Sequence, residues 1–402
     1  MADFNPFEPG QAQTAWPLLE ELRAEGPVAS ISGGMRYVTR HAECRAALRE
    51  TDAFSNATGM KAPGVDVPFE DRILGELDPP RHTAVRRVMV TALTPKVVHA
   101  AEHFMRDSAL QLLRKVPVPG TADLVSAFTV PLPNLVTVYL LGFPPEDADD
   151  LARWAKGLME SEFPRMNRTE RGEGFAGAFP EFAGYIDDKI AERADEIERG
   201  REVPDDVLTR LIRLDMEGEA LNRRQLRALV RNLITGGLTT TSQLLGNLLH
   251  AVLADPELET RLRREDTALN PAIEESLRLA PPILFVARAC THATAIDETE
   301  IAEGERVVVG IGSANRDERL FEHSNEFDLD RANVEQHLTF GYGPHVCPGA
   351  ALARVEARVA LTAFFDHFTH GTVQLEPGFE FENVTTFFEI GPRRLPVVTT
   401  DD

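Results

Sequence analysis

The segment FGYGPHVCPGAALAR at residues 340–354 constrains the fold of this chain more than any other stretch. Its three glycines and two prolines predict irregular backbone up to Cys347, and the AALARVEARVALTAFF pattern predicts a helix after it, with Pro348 at a first helical position. The Cys347 sulfur is then expected at a helix N-terminus. The dipole and the free N–H groups there favour a thiolate, which acts either as a nucleophile or as a metal ligand.

The residues around Cys347 favour the second role. Gly349 removes a side chain beside the sulfur, which suits the approach of a broad, flat group, and Phe340 and Gly343 shape the same face. The combined FxxGxHxCxG pattern resembles the haem-binding signature of the cytochrome P450 family. In that family a cysteine thiolate binds the haem iron and favours O–O cleavage. The resemblance implies that Cys347 is the iron ligand of haem b, iron protoporphyrin IX.

The resemblance covers almost the whole chain and implies its architecture. We expect the P450 fold, mainly α with small β-sheets, in which a helix-rich lobe joins a smaller β-rich lobe. Residues 1–402 form a single domain in this interpretation. A helix is expected over 221–254, and strand patterns occur at 285–312 and 371–398. Residues 56–80 are rich in Gly and Pro and predict a long loop.

Two further groups of residues match the family. ESLR at 275–278 matches the ExxR motif, and the resemblance implies that Glu275 and Arg278 join Arg331 in a buried ion network that supports the haem-side loop. Four basic residues match positions that hold the haem propionates, since a dianionic cofactor in a site of low dielectric constant needs cationic partners. These residues are His82, Arg86, Arg288 and His345.

The stretch GGLTTTS at 236–242 interrupts the apolar pattern of the long helix with poor helix formers. The family helix over the distal haem face carries (A/G)Gx(D/E)T, which aligns the oxygen-side threonine with Thr240. The glycines then let the helix approach the haem, and threonine hydroxyls that bond back to helix carbonyls open the helix locally. Thr239 stands where the family has Asp or Glu, and residues 220–254 contain no acid.

The missing acid leaves three interpretations open. In the first, Thr239, Thr241 and ordered water deliver the protons. In the second, an acid of the 56–80 loop or a group of the substrate takes the place of the missing acid. In the third, the protein is a peroxide-using or rearrangement-type P450, or a non-catalytic haem protein that binds a ligand. We expect Thr239→Asp to improve the coupling of oxygen use to product with a ferredoxin-type electron donor.

The resemblance also implies a substrate pocket and partners. The pocket suits a small apolar or aromatic molecule with one polar handle. Its candidate lining residues are Asn232, Thr235, Gly236, Leu238, Ile283, Leu284, Phe285, Phe387 and Phe388. Electrons are expected from a separate ferredoxin or flavodoxin and its NAD(P)H reductase, which docks near Arg354 and Arg358.

Composition limits the other classes of function. The net charge of −22 argues against a nucleic-acid binder and against binding to an anionic membrane surface. The three cysteines are far apart and predict no disulfide framework. No apolar stretch is long enough for a membrane span, and the N-terminus does not look like a secretory signal. We therefore expect a cytoplasmic protein, and a monomer.

Overall fold

The computed structural model describes residues 2–57, 59, 71–158 and 174–401. Helices make up most of this part of the chain. In chain order they are α1 Gln11–Thr14, α2 Trp16–Glu25, α3 His41–Arg49, α4 Arg81–Ala92, α5 Pro95–Leu113, α6 Pro131–Leu141, α7 Ala148–Gly157, α8 Gly174–Ala178, α9 Pro180–Glu198, α10 Val207–Arg213, α11 Arg223–Ala254, α12 Pro256–Arg264, α13 Leu269–Leu279, α14 Ile311–Ala314 and α15 Ala350–His367.

The strands are short and form small sheets. They are β1 Val28–Ile31, β2 Met35–Val38, β3 Phe54–Ser55, β4 Gly120–Asp123, β5 Asp215–Met216, β6 Glu219–Ala220, β7 Val286–Cys290, β8 Thr294–Ile296, β9 Thr299–Ile301, β10 Arg306–Val309, β11 Val373–Leu375 and β12 Pro396–Thr399. A five-stranded sheet has the order β1-β2-β10-β7-β3, in which β2 and β10 are parallel. A three-stranded sheet has the order β11-β12-β4.

These elements give the expected mainly α architecture with a smaller β-rich part. The largest core lies among the helices, and two smaller cores pack on the five-stranded sheet, one of them with α1 and α2. Of the predicted 56–80 loop, residues 58 and 60–70 lie outside the described residues. Among the described residues, none of the helices has the length and apolar character needed to cross a bilayer.

Helix α11 runs through the middle of the largest core. It starts with a capping box, in which the Asn222 side chain accepts from the Gln225 N–H group and the Gln225 side chain accepts from the Asn222 N–H group. The helix then continues without interruption over 32 residues, including GGLTTTS. Packing against α6, α9, α13 and α15 outweighs the weak intrinsic propensity of that stretch.

Helix α15 begins at Ala350, so the prediction that Pro348 takes a first helical position is wrong. The Cys347 carbonyl accepts a hydrogen bond from the Ala350 N–H group, at 3.4 Å, which makes residues 347–350 a tight turn with Pro348 inside it. Gly349 occupies the N-cap position. The sulfur of Cys347 is thereby held immediately before the first turn of α15.

Candidate active site

A mostly apolar cavity of about 350 Å³ lies between α11 and the segment that carries Cys347. On the α11 side it is lined by Gly236, Gly237, Thr240 and Thr241. Cys347 and Gly349 line the opposite side. The GGLTTTS stretch and the Cys347 segment therefore face one space, although their central residues, Thr239 and Cys347, are 108 residues apart in the sequence.

The backbone around Cys347 points donors at its sulfur. The Cys347 N–H group donates to the Phe340 carbonyl at 2.7 Å, which closes the loop. Burial raises the pKa of the Cys347 thiol, while the Gly349 and Ala350 N–H groups and the charges of Arg86 and Arg354 lower it. Desolvation therefore outweighs the helix terminus, and the expected preference for a thiolate does not follow from the protein alone. A coordinated metal cation deprotonates such a thiol outright.

Gly349 and Phe340 leave room for a flat group beside the sulfur. A Cβ atom on Gly349 would lie 3.8 Å from the Cys347 sulfur, an ordinary contact, so packing within the protein does not require glycine here. The space that a side chain would fill belongs to the cavity. Phe340 also lines the cavity, and the Arg354 guanidinium lies 4.5 Å from its ring centroid.

Two histidines meet at the edge of the cavity. The rings of His82 and His345 lie 3.9 Å apart between centroids. Both ring nitrogens of His82 and Nε2 of His345 are buried and have no hydrogen-bond partner among the described residues. Desolvation lowers the pKa of His82 to about 4 and that of His345 to about 3. Unsatisfied buried donors are costly, which indicates that a polar group binds here.

Two arginines complete this cationic corner. Arg288 is 5% exposed, and burial lowers its pKa to about 10, against the opposing charge of Asp78. The charges of Arg288 and Arg86 both act on the His345 imidazole, so the residues lie close together. Arg86 also donates to the Val346 carbonyl at 2.6 Å. This cluster fits the two carboxylates of a haem, and the sulfur fits its iron.

The two glycines of α11 have different surroundings. A Cβ atom on Gly236 would meet only the Asn232 amide nitrogen, at 3.8 Å, so this glycine leaves space in the cavity. A Cβ atom on Gly237 would lie 3.0 Å from Thr137 Oγ1, so close packing against α6 also requires a small residue there. Thr240 Oγ1 donates to the Gly236 carbonyl at 2.7 Å and lines the cavity.

Thr239 does not line the cavity, and its partner was missed by the sequence reasoning. Its Oγ1 donates to Glu389 Oε1 at 2.8 Å. A second missed acid is Glu356 on α15, which lines the cavity and has an unpartnered Oε1 among the described residues. Burial raises the pKa of Glu356 to about 8. The sequence offered one sign of Glu356 as a site residue, which is an acid inside the apolar pattern of α15. No local pattern identified Glu389 as the partner of Thr239.

A buried ion network lies behind the Cys347 segment. Arg278 donates to both oxygens of Glu275, at 2.7 and 2.8 Å, and Arg331 Nε donates to Glu275 Oε1 at 2.9 Å. Arg278 also donates to the Ser324 carbonyl, at 2.7 Å, and so holds the irregular 315–331 region. Hydrogen bonds from both arginines lower the pKa of Glu275 against the effect of burial.

The candidate pocket residues divide into two groups. Asn232, Gly236 and Ile283 line the cavity. The structure places the others elsewhere: Thr235 Oγ1 donates to the Arg231 carbonyl, Leu238 belongs to the largest core, and Leu284, Phe285, Phe387 and Phe388 belong to the core cluster around α1 and α2. The aromatic pair Phe285 and Phe387 packs against Phe7 there, so their predicted place in the cavity lining is wrong.

The comparisons with known proteins agree with this arrangement. The family model "Cytochrome P450" matches residues 18–387. Erythromycin C-12 hydroxylase of Saccharopolyspora erythraea is 31% identical over 384 residues, which cover 94% of this chain and 93% of that protein. The polyketide biosynthesis cytochrome P450 PksS of Bacillus subtilis is 29% identical over 382 residues, 91% of each chain.

A solved structure shows the same fold over the full length. Cytochrome P450 CYP109Q5 from Chondromyces apiculatus superposes with a TM-score of 0.86 at 27% identity, covering 100% of this chain and 99% of that one. Fold, motif geometry and family match lead to one assignment. This chain belongs to the cytochrome P450 family of haem-dependent monooxygenases.

Proposed function

We propose that this protein is a haem-thiolate monooxygenase that inserts one oxygen atom from dioxygen into a small, mostly apolar organic substrate. The observation that carries the proposal is the cavity that has the Cys347 sulfur on one side and the Thr240 hydroxyl on the other. When bound, haem b supplies the redox chemistry that activates dioxygen.

The residues of the chain would bind and orient this cofactor. Cys347 would hold the iron, and Phe340 and Gly349 would flank the ring. His82, His345 and Arg288 would pair with the propionates, and these pairs would relieve the unsatisfied ring nitrogens. Thr240 holds a proton on the cavity side of α11, and its oxygen is free to accept while its hydroxyl donates to the Gly236 carbonyl.

The proposed substrate class rests on Asn232, an amide side chain that is held in place in the cavity wall. Asn232 Oδ1 accepts from the Leu74 N–H group at 3.1 Å, which directs Nδ2 towards Gly236 and the cavity. An amide N–H₂ in an apolar cavity selects a ligand with an acceptor oxygen there. Leu244 and Ile283 supply apolar wall. The names of two relatives, an erythromycin hydroxylase and a polyketide biosynthesis P450, support an oxygenated natural product.

Electrons would come from a ferredoxin or flavodoxin and its NAD(P)H reductase. Arg354 and Arg358 are 39% and 43% exposed, but each already pairs with a carboxylate, Glu274 and Glu102 respectively. These pairs leave less positive charge for an acidic partner than the sequence alone indicates. A monomer in the cytoplasm remains part of the proposal, and the three free thiols support a reducing compartment.

The contact between Thr239 and Glu389 bears on the alternatives. The peroxide-using, rearrangement and non-catalytic interpretations all depended on the absence of an acid beside Thr240. A carboxylate within hydrogen-bond distance of Thr239 removes that reason and favours the monooxygenase.

The carbon monoxide difference spectrum of the reduced holoprotein tests the proposal. We expect the red-shifted band of thiolate ligation, and its loss in Cys347→Ser. A band at the position of a histidine-ligated or neutral haem would refute the assignment of Cys347. A spin-state screen of oxygenated apolar compounds then identifies a substrate, and NADH use that matches the product distinguishes an enzyme from a ligand-binding protein.

A further inference from the structure

Glu389 is a buried acid with two hydroxyl partners. Its side chain is 1% exposed, its Oε1 accepts from Thr239 Oγ1 at 2.8 Å, and its Oε2 accepts from Thr386 Oγ1 at 3.1 Å. Both partners also have the capacity to accept a hydrogen bond. The two hydroxyl groups therefore hold both oxygens of the carboxyl group in place.

The position of Glu389 is fixed by the segment that carries it. The Gln13 side chain donates to the Glu389 carbonyl at 3.0 Å, and the backbone of Glu389 pairs with Ile283. Two residues later the segment touches α11 directly, because a Cβ atom on Gly391 would lie 2.0 Å from Gln243 Oε1. Such close approach is possible only for glycine, and it fixes the register of Glu389 beside Thr239.

The carboxylate lies behind the wall of the cavity. Ile283, the backbone partner of Glu389, lines the cavity, and so does Thr240, the residue that follows its side-chain partner Thr239. Helix α11 contributes no acid of its own between Arg223 and Ala254. On the opposite side the cavity has Glu356. Among the described residues, Glu389 is the acid that accepts a hydrogen bond from the Thr239 hydroxyl.

We propose that Glu389 supplies the carboxyl group that α11 lacks and acts through Thr239 as a positioning and proton-donating residue for the cavity. The inference rests on the proposed monooxygenase function. The Glu389 carboxyl gives its proton to Thr239 Oγ1 while the Thr239 hydroxyl releases its own proton to a water molecule that leads to the cavity, since Thr239 itself lies outside the lining. The carboxylate that remains is reprotonated by a hydronium ion from the solvent, which restores the neutral carboxyl group and leaves no hydroxide ion.

A purely structural role for Glu389 predicts a different result. The residue would then only anchor the C-terminal segment, and a neutral side chain of the same shape would serve equally well. Gln is such a side chain, because its oxygen accepts from Thr239 while its amide donates to Thr386. Glu389→Gln therefore keeps the packing and removes the exchangeable proton and the charge.

The experiment uses the holoprotein with carbon monoxide as the first probe. The C–O stretch of the reduced complex is measured for wild type, Glu389→Gln, Thr239→Val and the double variant, with the exposed Glu380→Gln as the matched control. We expect the single variants to shift the stretch in the same direction and the double variant to shift it no further. An unchanged stretch in Glu389→Gln, with unfolding as in wild type, would overturn the proposal.

Oxygen consumption with NADH, a ferredoxin and its reductase is the second readout. Insertion of one oxygen atom into the substrate consumes dioxygen, two electrons and two protons and gives one water molecule, so the reaction proceeds only with protons. We expect Glu389→Gln to slow consumption on the order of ten- to a hundredfold and to increase the solvent deuterium effect. Equal rates and equal isotope effects in wild type and Glu389→Gln would contradict a proton path that Glu389 and Thr239 share. So would rate losses in the two single variants that multiply in the double variant.

Moving the acid back to the helix is the last test. Thr239→Asp in the Glu389→Gln background restores a carboxyl group at the same place, and we expect it to recover most of the lost rate. No recovery in a folded double variant would argue for an anchoring role. The proposed function fails separately, if wild type itself lacks the thiolate band with carbon monoxide.

Discussion

Replacing Glu274 with Gln tests how the Cys347 segment is held from behind. Glu274 on α13 accepts two hydrogen bonds of 2.7 Å from Arg354, whose guanidinium covers the Phe340 ring, and lies 3.1 Å from His337. Burial disfavours the charged form of Glu274 and by itself raises the pKa of its carboxyl group. The hydrogen bonds from Arg354 and His337 nevertheless lower its pKa from 4.5 to about 2.

The magnitude follows from linkage between ionisation and folding. A difference between 4.5 and about 2 corresponds to about 3 kcal/mol at 1.36 kcal/mol per pKa unit. Arg354 is 39% exposed, so solvent screening reduces this to about 2 kcal/mol. Because the folded pKa lies below the unfolded one, this stability is fully present above pH 4.5 and is lost as the pH falls towards about 2.

Urea unfolding of the holoprotein, followed by circular dichroism at several pH values, measures the effect. We expect Glu274→Gln to unfold more easily than wild type by about 2 kcal/mol at pH 7, and the difference to shrink below pH 4.5. All other carboxylates are common to both proteins, so the difference isolates Glu274. Arg354→Met should lose a similar amount, and the double variant should lose little more. A difference that stays constant between pH 7 and pH 3 would show that the loss is one of packing.

Other variants test the site itself. Glu275→Ala leaves two buried guanidinium groups unpaired, and we expect a loss of about 3–5 kcal/mol in urea unfolding. Arg288→Ala removes a buried cation from the propionate corner, and transfer of haem to apomyoglobin should be roughly ten- to a hundredfold faster. Thr240→Ala should release more hydrogen peroxide per product, while unchanged coupling would remove Thr240 from its role. Asn232→Leu should weaken the spin-state response to ligands that carry an acceptor oxygen and leave hydrocarbon binding intact.

Local sequence was sufficient to predict the part of the site in which a short segment determines its own backbone geometry. The glycines and prolines before Cys347 require irregular backbone, and the apolar pattern after it requires a helix, so the sulfur at the junction was predictable. Helical periodicity predicted only some of the cavity-lining residues of α11. Asn232, Gly236 and Thr240 are spaced by four residues and share the cavity face, whereas Thr235 and Leu238 are rotated from Gly236 by about 100° and 160° at 3.6 residues per turn.

Long-range contacts were not predictable in this way. Asn232 pairs with the backbone of Leu74, 158 residues away, and Thr239 pairs with Glu389, 150 residues away. No periodicity or spacing within either segment encodes its partner. Gly237 is a similar case, because the close approach of Thr137 on α6 also accounts for a glycine that the sequence assigns to the haem alone. The contact depends on how the helices pack.

Thr239→Asp is the variant on which the structure reverses the expectation from sequence. An acid at this position looked like the restoration of a missing group. Glu389 already lies 2.8 Å from the Thr239 hydroxyl and is 1% exposed, so a second carboxyl group would face it in a buried space. Two carboxylates at that distance cannot both ionise, and the pKa of one must rise. We expect Thr239→Asp alone to lower the unfolding midpoint and to leave oxygen coupling no better than in wild type. Improved coupling together with unchanged stability would mean that Glu389 does not act as the acid of this helix.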